Sequence, residues 1–336
     1  MNGPKPVMSI DDFSSSGDSE YSPQVYRIVN VSIGIGLPIN ITNEQHLDNL
    51  SKHLINSFIV MICLLGLVGN GRVIWLLGFR IKRNPFTTYI LNLSIADFGV
   101  LISLLATSTF VIVVNLYNRN YVLSVFFLLF LELFFFMYST GQFLLAAISI
   151  DRCVAVLFPL WHRCHRPPRL STIVCSLIWI LSFLLSGIHF TLQMTGSFGN
   201  APLWFQLIVN ALLCMPLMLI STLTLFIHVC CKSKQRQQGM LVMAILLALL
   251  FFLLFAFPMN AFYVIHSFYA PHHSLMVTGF ACASLNSSIN PLIYFFVGRR
   301  QKKGKPRVSL KVALQRVFKD EQNSMEDEKD STETPL

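Results

Sequence analysis

Between residues 51 and 319 the chain carries only three acidic side chains, Asp97, Glu132 and Asp151, each set in an apolar run. A charge in such surroundings costs several kcal/mol unless it is paired or hydrated, so each is a functional candidate. The pattern does not suit covalent chemistry. Asp97 and Asp151 fall at different depths and cannot share a proton as a catalytic dyad. No Lys lies within an apolar run to form a Schiff base. His162, Cys164 and His165 crowd one basic stretch, but a tetrahedral metal site needs a fourth ligand, so no metal is expected and a solvated loop is. What remains is pairing and hydration. Asp151 adjoins Arg152, and Asp97 falls level with Asn70 and Asn290 if their helices run antiparallel. A polar core of Asn70, Asp97, Asn286 and Asn290 is expected, either structural or part of a switch.

The elements that must hold these residues follow from composition. With 54% hydrophobic and 12% charged residues, the chain is not that of a soluble domain, in which about 25% are charged. A membrane helix needs about 20 mostly apolar residues. Seven segments qualify: 54–79, 87–115, 122–156, 170–192, 203–231, 239–267 and 274–297. The expected fold is therefore an all-α membrane protein, a seven-transmembrane helix bundle. Twenty of the 25 Lys and Arg fall in Arg80–Arg83, Arg152–Arg169, Lys232–Arg236 and from Arg299 onward, all on the side that holds the C-terminus. The positive-inside rule makes that side cytoplasmic. These basic clusters alternate with apolar spans and form no aromatic-rich nucleic-acid surface.

Residues 1–53 are expected to be an extracellular disordered segment, acidic overall, with acceptor motifs for N-glycosylation at Asn30, Asn40 and Asn49. They contain no apolar run like a signal peptide, so the first span is expected to double as a signal anchor. The receptor-like body covers 54–298. A basic stretch, 299–319, includes a short amphipathic C-terminal helix from Ser309 to Phe318, expected to lie on the membrane surface. An acidic cytoplasmic tail covers 320–336. The eight cysteines fall in spans or cytoplasmic loops, so no extracellular disulfide is expected.

Motifs along the spans resemble the rhodopsin-like G-protein-coupled receptors. In order they are Gly69-Asn70, Leu93 to Asp97, Asp151-Arg152-Cys153 where the family usually has Asp-Arg-Tyr, Trp179, Pro216, Phe252 to Pro258, and Asn290-Pro291-Leu292-Ile293-Tyr294. Seven in sequence, one per span, are specific. Within that class Arg83-Asn84-Pro85-Phe86-Thr87, Trp161 to Pro167, Phe257-Pro258-Met259 and Phe318 to Glu321 are similar to the Mas-related receptors. The resemblance implies a plasma-membrane receptor with its N-terminus outside, an extracellular peptide or small cationic ligand, and a heterotrimeric G protein inside. Asp151, Arg152, Leu160, Asn290, Pro291 and Tyr294 are then the coupling and activation residues. Ser324, Ser331, Thr332 and Thr334 are candidate phosphorylation sites for arrestin. The chain departs from the class at Ala256, where Trp is usual, at Thr224 for Tyr, and at Gln238 for an occasional acid. Gly141 replaces the Ser that helps bind sodium, which puts a sodium ion at Asp97 in doubt; no other cofactor is implied.

Helical periodicity suggests where a ligand could sit. Counting back from Arg152 at about 100° per residue, Phe134, Gly141 and Leu145 share a face, with Tyr138 beside them. Ala256, Asn260 and Tyr263 share one on the sixth span. The expected pocket is Phe134, Tyr138, Ala256, Asn260 and Tyr263. Glu132 points the other way, which favours a bond between helices over ligand contact. A transporter or channel is the main rival, yet it should show internal repeats or polar residues along a path. An enzyme is not expected.

Overall fold

The computed structural model describes residues 43–81, 83–116, 121–167, 169–195, 210–231, 239–268, 273–299 and 310–315. The seven long helices are α1 (Asn43–Phe79), α2 (Pro85–Leu116), α3 (Tyr121–Leu157), α4 (Leu170–Thr195), α5 (Met215–Cys231), α6 (Gly239–Phe268) and α7 (His273–Arg299). A π-helical turn, Asn210–Cys214, leads into α5, and a short loop helix, Pro159–Cys164, follows α3. Residues 310–315 form a further helical segment, with Ala313 and Leu314 buried and Val312 exposed. Six of the seven long helices are apolar and long enough to cross a membrane, and the described apolar stretch of α5, Leu212–Ile227, is shorter.

Each expected span falls on one of these helices. α1 differs most, starting at Asn43 rather than 54, because the polar stretch before the apolar window contains helix formers such as Glu44, Gln45 and Leu47. Residues 203–209, expected to open the fifth span, lie outside the described residues. α2 starts sharply because Asn84 caps it: Asn84 Oδ1 accepts from the Thr87 backbone N–H at 2.6 Å, and the Asn84 N–H donates to Thr87 Oγ1 at 2.8 Å. Pro85 then sits at the first helical position, where its missing N–H costs nothing.

The packing order is a closed ring, α1 against α2 and α7, α6 against α7 and α5, with α3 threaded between α2, α4, α5 and α6. α4 explains how such a helix chooses its face. Ile173, Leu177, Ile180, Leu184 and Ile188 recur at helical spacing and are exposed, while Cys175, Ser182, Ser186 and His189 on the other side are buried. In lipid the apolar stripe faces outward and the small or polar residues face the neighbouring helices. Trp179 Nε1 donates to Asn92 Oδ1 at 2.9 Å and so ties α4 to α2.

Close approach of α1 and α7 depends on glycine. A Cβ on Gly66 would collide with Ser288 Oγ, and one on Gly69 would lie 3.2 Å from Pro291 Cβ. Pro291 has no N–H, so the carbonyl of Ser287, four residues earlier, loses its helical donor. Asn70 Nδ2 supplies a replacement from α1, donating to Ser287 O at 2.9 Å and to Gly66 O at 3.1 Å.

Candidate functional site

The polar residues fall in three layers along α3. At its C-terminal end, Arg152 Nη2 lies 2.8 Å from Asp151 Oδ2, and Arg166 Nη2 lies 2.8 Å from Asp151 Oδ1. One carboxylate thus holds two guanidinium groups. Arg166 comes from the turn after the loop helix, where Nη2 also donates to Ser171 Oγ at 2.9 Å and Nη1 lies 3.0 Å from His162 Nε2. The Arg152 guanidinium stacks over Phe86 at 4.6 Å, a cation–π contact from the start of α2. All four charged or polar partners are nearly shielded from solvent, so this is a buried network and not a screened surface pair.

One pairing gains a member here, and one expectation changes. Arg152 pairs with its neighbour Asp151, and the same carboxylate also holds Arg166, which the sequence did not point to. The stretch around His162 was expected to be a solvated loop, and His162 is only 8% exposed. The helix break at Phe158 is the reason: it redirects the loop helix so that His162 faces Asp151 at 3.8 Å, while Cys164 and His165 stay exposed. Leu160, on the same short helix, is 77% exposed.

In the middle layer Asn290 Nδ2 donates to Asp97 Oδ2 at 2.8 Å, and Asn70, Asn286 and Ser287 are buried alongside. The expected polar core therefore assembles, but Asn70 bonds the α7 backbone and not Asp97. Pro291 and Tyr294 are also buried on α7. A Cβ on Gly141 would sit 4.0 Å from Asp97 Oδ1, so α3 faces the carboxylate with no side-chain oxygen.

In the outer layer Glu132 is engaged by α4: Oε1 lies 2.6 Å from His189 Nδ1, and Oε2 accepts from Ser186 Oγ at 3.5 Å. The periodicity argument for a bond between helices is met. Phe134 and Tyr138 stack at 5.4 Å between ring centroids, with Phe280 of α7 edge-on to Phe134 at 5.2 Å. Both belong to one buried cluster with Met259 and Ala283. Asn260 is buried as well. Ala256 and Tyr263 lie on α6 with side chains outside the described residues. The same holds for the Asn49 side chain on α1, while Asn30, Asn40, Gln238 and the tail lie outside them altogether.

Residues 69–294 match the family model described as "7 transmembrane receptor (rhodopsin family)". The chain is 37% identical to proto-oncogene Mas of Rattus norvegicus over 281 residues, 80% of this chain and 84% of the relative. It is 39% identical to Mas-related G-protein coupled receptor member H of the same organism, over 81% of this chain and 86% of the relative. The chain belongs to the Mas-related branch of the rhodopsin family. It is also 37% identical to member D of Homo sapiens, over 80% of this chain and 86% of that receptor.

For this Mas-related G-protein-coupled receptor, three structural residues escaped the sequence. Arg166 follows a helix break, so no periodicity links it to Asp151. His189 as partner of Glu132 requires knowing which faces of α3 and α4 meet. Gln142 had a detectable signal, since it lies one turn from Tyr138 on the same helix, but a lone amide in an apolar span does not stand out.

Proposed function

We propose that this multi-pass receptor sits in the plasma membrane with its N-terminus outside and its C-terminus in the cytoplasm. It binds an extracellular peptide or small cationic ligand and passes the signal to a heterotrimeric G protein. The observation that carries this reading is the arrangement around Arg152. A guanidinium held at the mouth of the bundle by Asp151 and Phe86 can be handed to an incoming helix terminus, whose carbonyls carry partial negative charge. Exposed Leu157, Phe158 and Leu160 around it offer an apolar docking edge. The acidic N-terminal segment steers cationic ligands toward the outer face. Arrestin recruitment to the phosphorylated tail belongs to the same reading. No cofactor and no catalytic step enter it.

Two measurements test it. Arg152→Ala should abolish agonist-driven second-messenger signalling while surface expression is kept, and normal signalling from the variant would overturn the coupling assignment. Phe134→Ala, Tyr138→Ala and Tyr263→Ala should each lower agonist potency; three unchanged dose-response curves would remove these residues from the ligand site.

A further inference from the structure

Around Tyr138 the core holds more polar atoms than the protein supplies partners for. Both amide atoms of Asn260 and Asn210 Oδ1 are buried without a hydrogen-bond partner, and Tyr138 Oη and the Gln142 amide are buried with no well-formed hydrogen bond beyond their approach to each other. Tyr138, Gln142, Asn260 and Asn210 are 2%, 1%, 4% and 0% exposed, respectively. Gln142 lies one turn inward of Tyr138, and its side chain reaches toward the Tyr138 hydroxyl. Asn210, in the π-helical turn, joins the layer by donating from Nδ2 to Ser139 Oγ at 2.8 Å, which leaves its Oδ1 over. Asn260 follows Met259, which belongs to the same buried cluster as Phe134 and Tyr138. π-Helical turns are frequent at functional sites, and Pro258 at the centre of this stretch of α6 removes a backbone donor there.

Native cores seldom bury so many poorly partnered polar atoms together, because each carries a desolvation penalty. The group is also uncharged. Among the described residues, the acids that flank it along the bundle are already engaged, Asp97 by Asn290 and Glu132 by His189 and Ser186. The group itself offers a cation no carboxylate. An amide would find donors and acceptors in both senses, beneath a wall of aromatic rings from Phe134 and Phe280.

We infer that Tyr138, Gln142 and Asn260, with Asn210 at the edge, form an inner seat for an uncharged amide-like group of the ligand, next to an aromatic or apolar portion. The seat lies deeper than any cationic part of the ligand reaches, and it rests on the ligand-site reading above. Gln142 and Asn260 supply both an amide N–H and a carbonyl, so they recognise a group that donates and accepts at once. That is the chemistry of a peptide bond or a carboxamide.

The test uses purified full-length receptor and needs no G protein, so its failure is separable from failure of the coupling assignment. The melting temperature is measured with benzamide and with benzylammonium, equal in size but one neutral and one charged. Benzamide at millimolar concentration should raise it by ~2–4 °C, and benzylammonium should not. Gln142→Leu and Asn260→Leu should each remove that shift, while melting at or above the wild-type temperature without probe, since an apolar side chain has no unmet hydrogen bonds. Tyr138→Phe, a smaller change, should reduce the shift and guards against a Leu variant that fails to fold. Absence of a benzamide shift overturns the inference, as does one that persists undiminished in Tyr138→Phe. An equal shift with benzylammonium overturns the neutral seat. Leu variants that fold but melt well below wild type would make these amides structural and also overturn it.

Discussion

At the C-terminal end of α3 each described charge has a partner, whereas about 20 Å back along the same helix neutral polar groups lie buried with too few. The contrast reflects the cost of leaving each kind unpaired. An orphaned amide or hydroxyl in a protein core costs about 1–3 kcal/mol, while breaking a buried ion pair by removing one partner costs about 3–5 kcal/mol. Charges must therefore be traded between partners, and neutral groups can wait. On the proposed reading, the mouth of the bundle exchanges an existing contact for a new one, and the inner layer receives a contact it lacks.

The largest effect should follow from taking the carboxylate out of the mouth. Asp151→Ala leaves Arg152 and Arg166 side by side in a buried site with no counter-charge, and it should destabilise the receptor by about 3–5 kcal/mol. Thermal unfolding and surface abundance would report it; a variant that melts like wild type would mean that Asp151 is not what holds the mouth together. Next in size is Asn70→Ala, which strips the donor from the Ser287 carbonyl that Pro291 leaves bare. A loss of about 1–3 kcal/mol is expected, read as a lower melting temperature.

Agonist-free signalling gives a smaller, more pointed test. Asp151 divides its hold between two guanidinium groups, and between Asp151 and Asp320 the chain has no acid to restrain Arg152 from α6. Basal activity should therefore be measurable in cells matched for surface expression. Gln238→Glu places an acid at the cytoplasmic start of the sixth span, and an added pair of about 1 kcal/mol should cut the basal signal about fivefold. A silent wild type, or no change on substitution, would show that another contact sets the resting state. The smallest effect belongs to the inner layer. Tyr138→Phe deletes a hydroxyl that has no well-formed hydrogen bond, so stability should stay within about 0.5 kcal/mol of wild type or rise. A loss as large as that of Asn70→Ala would erase the distinction between the two layers.

The fold was legible because a membrane leaves helices few alternatives: without water, backbone groups must bond within the segment, and an apolar run of sufficient length is nearly a structural statement by itself. The charge asymmetry and the ordered motifs were equally local. Helical periodicity correctly turned Phe134 and Tyr138 inward and Glu132 aside, since a single unbroken helix carries all three. It failed at His162 and Arg166, which lie past the break after Leu157, where no regular rotation relates them to α3.

The sequence by itself determined the seven spans, the inward face of α3 and the family, each of which depends on spacing along one stretch of chain or on residue types in order. Which partner each polar group obtained was settled by packing: Arg166 for Asp151, His189 for Glu132, the Ser287 carbonyl for Asn70, and none for the Asn260 amide. A side chain's own helix fixes the direction in which it points. What it meets there depends on the rotation, depth and tilt of a second helix, and those are set by the packing of the whole bundle, down to contacts as small as Gly66 against Ser288.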